Sequence, residues 1–251
     1  MIHLPISGIP VRFRRVTGIQ ESDLWAARGD TSAALVASLL PSLCETTDVS
    51  DWLSLPVTDA DAALLGWRQA WVGDRIETTV RCPYEGCGEP ASVDFNISNF
   101  MEFRRPAMPR GVQRSNGVFT CNGVGFRVPT LADEEAARVS VSPERTLRER
   151  CIDSTSPSNI RKIEKMLERI APSMISELLL ICPNCGCSHG ATFDPRAFVL
   201  KELSDQAQFM WDDVHLIAST YHWSKDEILN LDRATRVQLA ERIRSDRLAG
   251  A

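Results

Sequence analysis

The sequence predicts an α+β protein: a split zinc ribbon with a long insertion, flanked by helices and ending in a helical C-terminal arm. Three observations lead there. Two cysteine knuckles, RCPYEGCGEP (81–90) and ICPNCGCSHG (181–190), share a Cys-Pro opening and a Cys-Gly close. Each has strand-like flanks, IETTV and ASVDFNI around the first, ELLLI and ATFDP around the second. Before, between and beyond them, apolar residues recur at the three- and four-residue steps of helices.

The elements follow in order. Residues 10–18 alternate apolar and charged and read as a strand. Helices are expected around 20–28, over 31–43 through Ala34, Leu35, Leu39 and Leu40, and over 58–72 through Leu64, Leu65, Trp67 and Trp71, with Gly73 ending the last. These make an N-terminal unit, 1–74. The ribbon core spans 75–198 and holds an insertion over 100–176. In it, VFTCNG and VGFRVP form a hairpin around Asn122-Gly123, and 131–151 is helical. After the Ser/Pro-rich break DSTSPSN comes a charged amphipathic helix, about 158–176, with Ile160, Ile163, Met166, Leu167 and Ile170 on one side.

The arm, 199–251, reads as strongly helical. From Asp194 onward Val199, Leu203, Ala207, Met210, Val214, Ile217 and Tyr221 form one apolar stripe. Such a stripe suits a partner helix as well as the protein's own core. Val199, Leu203, Met210, Val214, Ile217 and Tyr221 are the expected partner-binding residues. Ser224 and Glu227 form a capping box with Trp223 and Ile228 at the staple positions, and Asp232 caps a terminal helix over 233–247.

The knuckles carry the chemistry. A tetrahedral zinc site needs four converging ligands. Cys182 and Cys185 sit on a tight turn that aims two thiolates at one point, whereas Cys185 and Cys187, two residues apart, diverge. One knuckle therefore calls for another, which Cys82 and Cys87 supply at a spacing still within the zinc range. The expectation is one structural zinc per chain on Cys82, Cys87, Cys182 and Cys185, with Cys187 or His189 as open substitutes for one ligand. Four thiolates leave no open position for catalysis. The remaining Cys44, Cys121 and Cys151 stand alone, which fits a reducing cytoplasm better than a disulfide scaffold.

Composition narrows the function further. The 251 residues include 28 Lys and Arg against 33 Asp and Glu, a net charge of −5, and 43% are hydrophobic. No long basic run stands ready to grip a phosphate backbone. No stretch reaches the ~18 apolar residues of a membrane span, and the N-terminus lacks a signal-peptide pattern. No nucleophile elbow, phosphate-binding glycine loop or paired histidine motif is present, so no enzyme is expected. His3, His189, His215 and His222 form no ligand pair by spacing. The acidic groups Asp133-Glu134-Glu135 and Asp212-Asp213 read as solvated or helix-dipole residues.

Three stretches then carry a family likeness: LPVTDADAALLGWRQAWVGDRIETTVRCPYEGC (55–87), LLLICPNCG with the strand and helix that follow it (178–199), and DDVHLIASTYHWSKDEILNLDRATRVQLAERI (212–243). The chain resembles the T4-type phage baseplate protein family of contractile phage tails and related bacterial contractile injection systems. Its C-x4-C first knuckle is longer than the family pattern, and its N-terminal 50 residues show little to match.

The likeness implies a non-enzymatic structural or assembly component of a baseplate. It would be made in the host or bacterial cytoplasm and then reside in the virion tail or injection particle. Its partners would be other baseplate hub or wedge proteins, with an oligomeric state set by the particle. Two alternatives are a tail assembly chaperone absent from the mature particle and a zinc-ribbon nucleic-acid-associated module of the transcription type. The second is disfavoured by ribbon charge, since Glu77, Glu89 and Asp94 stand against Arg75 and Arg81 and no Lys or Arg falls between 170 and 195.

Overall fold

The computed structural model describes residues 1–115 and 117–249 as a mixed α+β protein. Strands β1 (Ile2–His3) and β2 (Pro10–Phe13) are followed by helices α1 (Gly18–Ala26) and α2 (Ala33–Leu43) and by strand β3 (Cys44–Glu45), which completes a sheet of order β1-β2-β3. The strand expected over 10–18 stops at Phe13. Thr17 and Gln20 form a capping box there, which starts a helix where the alternating pattern had promised more strand.

Helix α3 (Val57–Trp71) is the axle of the molecule. The sequence promised one apolar face, but every residue from Thr58 to Arg68 is buried. Its charged residues are therefore paired. The amides of Ile6 and Ser7 donate to the Asp59 carboxylate at 2.6 and 2.9 Å. Arg68 binds Glu202 through two nitrogens at 2.9 and 3.1 Å and also donates to the Gly73 and Arg75 carbonyls. At Gly66 a methyl group would come within 2.7 Å of the Phe13 ring, so only glycine lets the N-terminal sheet lie this close.

After Gly73 (φ +123) the chain forms the hairpin β4 (Arg75–Arg81) and β5 (Pro90–Asn96), in register from Arg75↔Asn96 to Arg81↔Pro90. The inserted region begins with α4 (Ile97–Phe103). It continues through β6 (Gln113–Ser115), β7 (Val118–Cys121) and β8 (Val124–Phe126), a three-stranded sheet rather than a bare hairpin. Asn122 (φ 50) and Gly123 (φ 78) make the expected turn.

Helices α5 (Leu131–Arg138), α6 (Pro143–Cys151) and α7 (Pro157–Ile170) follow, and α7 ends six residues early, just before Pro172. Phe119, Phe126, Cys151, Ile163 and Ile170 give this lobe a core of its own.

The second hairpin, β9 (Ser176–Ile181) and β10 (Ser188–Phe193), leads into α8 (Pro195–Ala207), capped by the Asp194 carboxylate. The apolar stripe from Asp194 onward does not run on one helix. The chain breaks at Gln208–Phe209 and resumes as α9 (Met210–Tyr221), then α10 (Lys225–Leu229) and α11 (Arg233–Ala249).

Val199 and Leu203 join the main core, while Met210, Val214 and Ile217 pack with Ile228, Ala240 and Ile243 in a third cluster. Five of the six expected partner-binding residues are thus buried by this chain's own elements; Tyr221, 38% exposed, alone faces outward. Spacing alone does not tell an inner face from an outer one, and no proline or glycine marks the bend.

Candidate metal centre

Each knuckle is shaped by its own backbone. In the first, the Cys82 amide donates to the Glu89 carbonyl and the Cys87 amide to the Tyr84 carbonyl, at 2.9 and 3.0 Å. In the second, the Cys182 amide donates to the Cys187 carbonyl and the Gly186 amide to the Cys182 carbonyl, both at 3.0 Å. Gly86, Gly88 and Gly186 hold φ of +81, +63 and +70, a turn geometry that side chains resist.

The two tips meet. Cys82 Sγ lies 3.7 Å from Cys185 Sγ, Cys87 Sγ lies 3.7 Å from Cys182 Sγ, and all four sulfurs fall within 4.8 Å of one another. A disulfide needs ~2.05 Å between sulfurs, so none of these is one. A tetrahedron of sulfurs ~2.3 Å from a central ion has edges of about 3.8 Å. The donor set therefore fits a tetrahedral metal ion.

Electrostatics makes the same point. Backbone amides of Cys185 and Asn184 bring the Cys182 thiol down to about 7. The Tyr84 amide acts in that direction on Cys82, but desolvation and the three neighbouring thiols push Cys82 up to about 12. Thiolates this close repel, and a cation relieves the repulsion. The Asn184 side-chain amide donates to Cys87 Sγ at 3.7 Å, across the two knuckles.

Neither Cys187 nor His189 lies within the four-sulfur group. His189 is buried, and neither of its ring nitrogens has a hydrogen-bond partner.

What brings residues a hundred positions apart together is an aromatic joint at the hairpin roots, which the sequence reading missed. Phe95 at the end of β5, Phe100 in α4, Phe193 at the end of β10 and Phe198 in α8 interlock. Phe193 meets Phe95 and Phe100 edge-on at 5.0 and 5.3 Å and Phe198 at 5.7 Å. The only signal was position: Phe95 and Phe193 lie within the last two residues of their strands, and Phe100 and Phe198 lie in the first turn of the helices that follow.

The carboxylates read as solvated also find other roles. Asp133 is fully buried, caps α5 and takes Arg127 and Arg150. Burial raises its pKa, yet these arginines and the Thr130 amide hold it well below the usual carboxylate range. Glu134 shares Arg196 with Asp61 at 2.7 and 3.0 Å, tying α5, α8 and α3 together. Asp213 is buried against Arg244 at 2.7 Å. These are structural ion pairs, and apart from Arg127, six residues from Asp133, their arginines come from other helices. Among the described residues, no helix is long and apolar enough to cross a membrane, and His3, His215 and His222 join no ligand cluster.

Fold and site together define a mixed α+β protein whose two cysteine knuckles converge on a four-thiol cluster. The T4 bacteriophage base plate protein family profile matches residues 1–158, and the chain belongs to this family. The match takes in the N-terminal 50 residues, where the sequence alone had shown little likeness, and stops before the second knuckle and the arm. No curated protein and no solved structure matches the chain.

Proposed function

We propose that this protein is a non-enzymatic structural component of a phage tail baseplate, or of a related injection particle, organised by one structural zinc. Family membership supports the baseplate reading. The single observation that carries the zinc reading is the four-sulfur geometry, with 3.7 Å edges where a zinc tetrathiolate has about 3.8 Å. Cys82, Cys87, Cys182 and Cys185 would hold the ion and make the two hairpins one split ribbon around the inserted lobe. The zinc supplies cross-linking free energy, not reactivity.

The partners are other baseplate hub or wedge proteins, and the C-terminal helices remain the proposed docking arm. With most of the apolar stripe buried, the contact falls to the arm's exposed aromatics: Tyr221 and Trp223, tilted against each other at 5.6 Å, together with Phe209 and Trp211. Exposed Trp and Tyr have the composition of interface anchors.

The test is elemental analysis of the purified chain with mass spectrometry of purified particles. One zinc per chain, lost in Cys82→Ser and Cys185→Ser and retained in Cys187→Ser and His189→Gln, is the expected result. Iron, no metal, or retention in the Cys82 and Cys185 variants rejects the zinc reading. Absence from finished particles rejects the structural role and favours an assembly chaperone.

A further inference from the structure

The inserted lobe and the rest of the chain carry opposite charge. Residues 97–175 contain 13 Arg and Lys against 9 Asp and Glu, a net +4, while the remainder holds 15 against 24, a net −9. Two stretches carry the excess: residues 97–115 hold four Arg against Glu102, and α7 holds four Arg and Lys against Glu164 and Glu168. The inner face of α7, with Ile163 and Ile170 buried, closes the lobe core. Its outer face exposes Arg161, Lys165 and Arg169, spaced i, i+4 and i+8, with Lys162 beside them and Glu168 as the one exposed carboxylate among them.

None of these four cations makes an ion pair among the described residues, whereas Glu164 on the same helix is taken by Arg148. Helix stability does not explain the pattern. The first turn of α7 has no carboxylate, and Arg161 and Lys162 follow directly, the reverse of what the helix dipole favours.

The complement lies at the other end of the sequence. No Lys or Arg occurs between Arg28 and Arg68. Within that span Glu45, the last residue of β3 and opposite Arg12 in register, stands exposed, as do Asp48 and Asp51 on the segment leading to the short helical turn at Trp52–Ser54. None of the three forms an ion pair within the chain among the described residues. A cationic helix face and an anionic segment on one chain, neither satisfied by the other, are two halves of a heterologous contact.

We propose that the outer face of α7 docks on the Glu45–Asp51 segment of a second copy of this chain, giving head-to-tail, salt-sensitive self-association. The proposal does not depend on the zinc or on the arm contact, because it uses none of the four cysteines and none of the arm's aromatics.

Sedimentation velocity of the full zinc-loaded chain tests it. Association should rise with protein concentration in about 20 mM salt. It should weaken by at least about tenfold in about 500 mM salt, where the Debye length falls several-fold. The triple reversal Arg161→Glu/Lys165→Glu/Arg169→Glu and the double reversal Glu45→Lys/Asp48→Lys should each sediment as monomers with unchanged zinc content and melting. Mixing the two reversed chains should restore a complex.

A wild-type chain that stays monomeric in low salt, an association that persists in high salt, or a mixture that fails to re-form a complex overturns the proposal. So does a monomeric wild type whose α7 cations instead shift duplex DNA in a gel, which would assign the face to nucleic acid.

Discussion

Phe193→Ala is the sharpest perturbation of the candidate metal centre that leaves every cysteine in place. The ring is 6% exposed and meets three aromatic partners at 5.0, 5.3 and 5.7 Å, one from the other hairpin. Truncating a buried Phe costs about 3–5 kcal/mol, and lost edge-on aromatic pairs weigh toward the upper end. For a chain of this size each kcal/mol lowers Tm by about 2–4 °C, so a drop of roughly 6–20 °C is expected. The metal should respond as well. With the roots loosened, ion binding has to order the two hairpins, and each ~1.4 kcal/mol of ordering weakens affinity tenfold. Competition with a coloured zinc chelator should show at least about tenfold weaker binding in Phe193→Ala. Wild-type melting or unchanged zinc affinity in this variant would refute the claim that aromatic packing at the roots brings the sulfurs together.

Further outcomes follow from the buried charges and the arm. Arg196→Met leaves Asp61 without its cation, and since breaking a buried pair costs about 3–5 kcal/mol, chemical denaturation should show a loss of that order; Asp61→Asn in the same background should recover part of it. Asp133 has a depressed native pKa, so its contribution is present above the ordinary carboxylate pKa of 3.8 and is lost as pH falls through the lower native value. The Tm difference between wild type and Asp133→Asn should therefore be largest near neutrality and shrink on acidification below about pH 4, and a difference independent of pH would argue against the arginine clamp. Met210 is 1% exposed, so Met210→Asp should destabilise the C-terminal helices by about 3 kcal/mol or more; a soluble variant with wild-type melting that merely fails to enter particles would restore Met210 to the docking surface.

Local chemistry was legible in the sequence because its physical cause is local. The Cys-Pro…Cys-Gly turns, the Asn122-Gly123 hairpin, the Ser224–Glu227 capping box and the end of α3 at Gly73 each depend on residues within a few positions of one another. Matched punctuation at both knuckles also picked out the four cysteines that cluster, with Cys187 and His189 left open as substitutes.

What it did not carry was every decision made between distant surfaces. Whether the stripe of Val199, Leu203, Met210, Val214 and Ile217 faces inward depends on α1, α3 and α11 being there to cover it. Whether Asp133, Glu134 and Asp213 meet water or arginine depends on Arg150, Arg196 and Arg244 arriving from other helices. Spacing along a chain encodes a face but not its neighbour. The Phe95–Phe100–Phe193–Phe198 joint, and through it the meeting of Cys82 with Cys185, is such a neighbour relation, and only tertiary packing decided it.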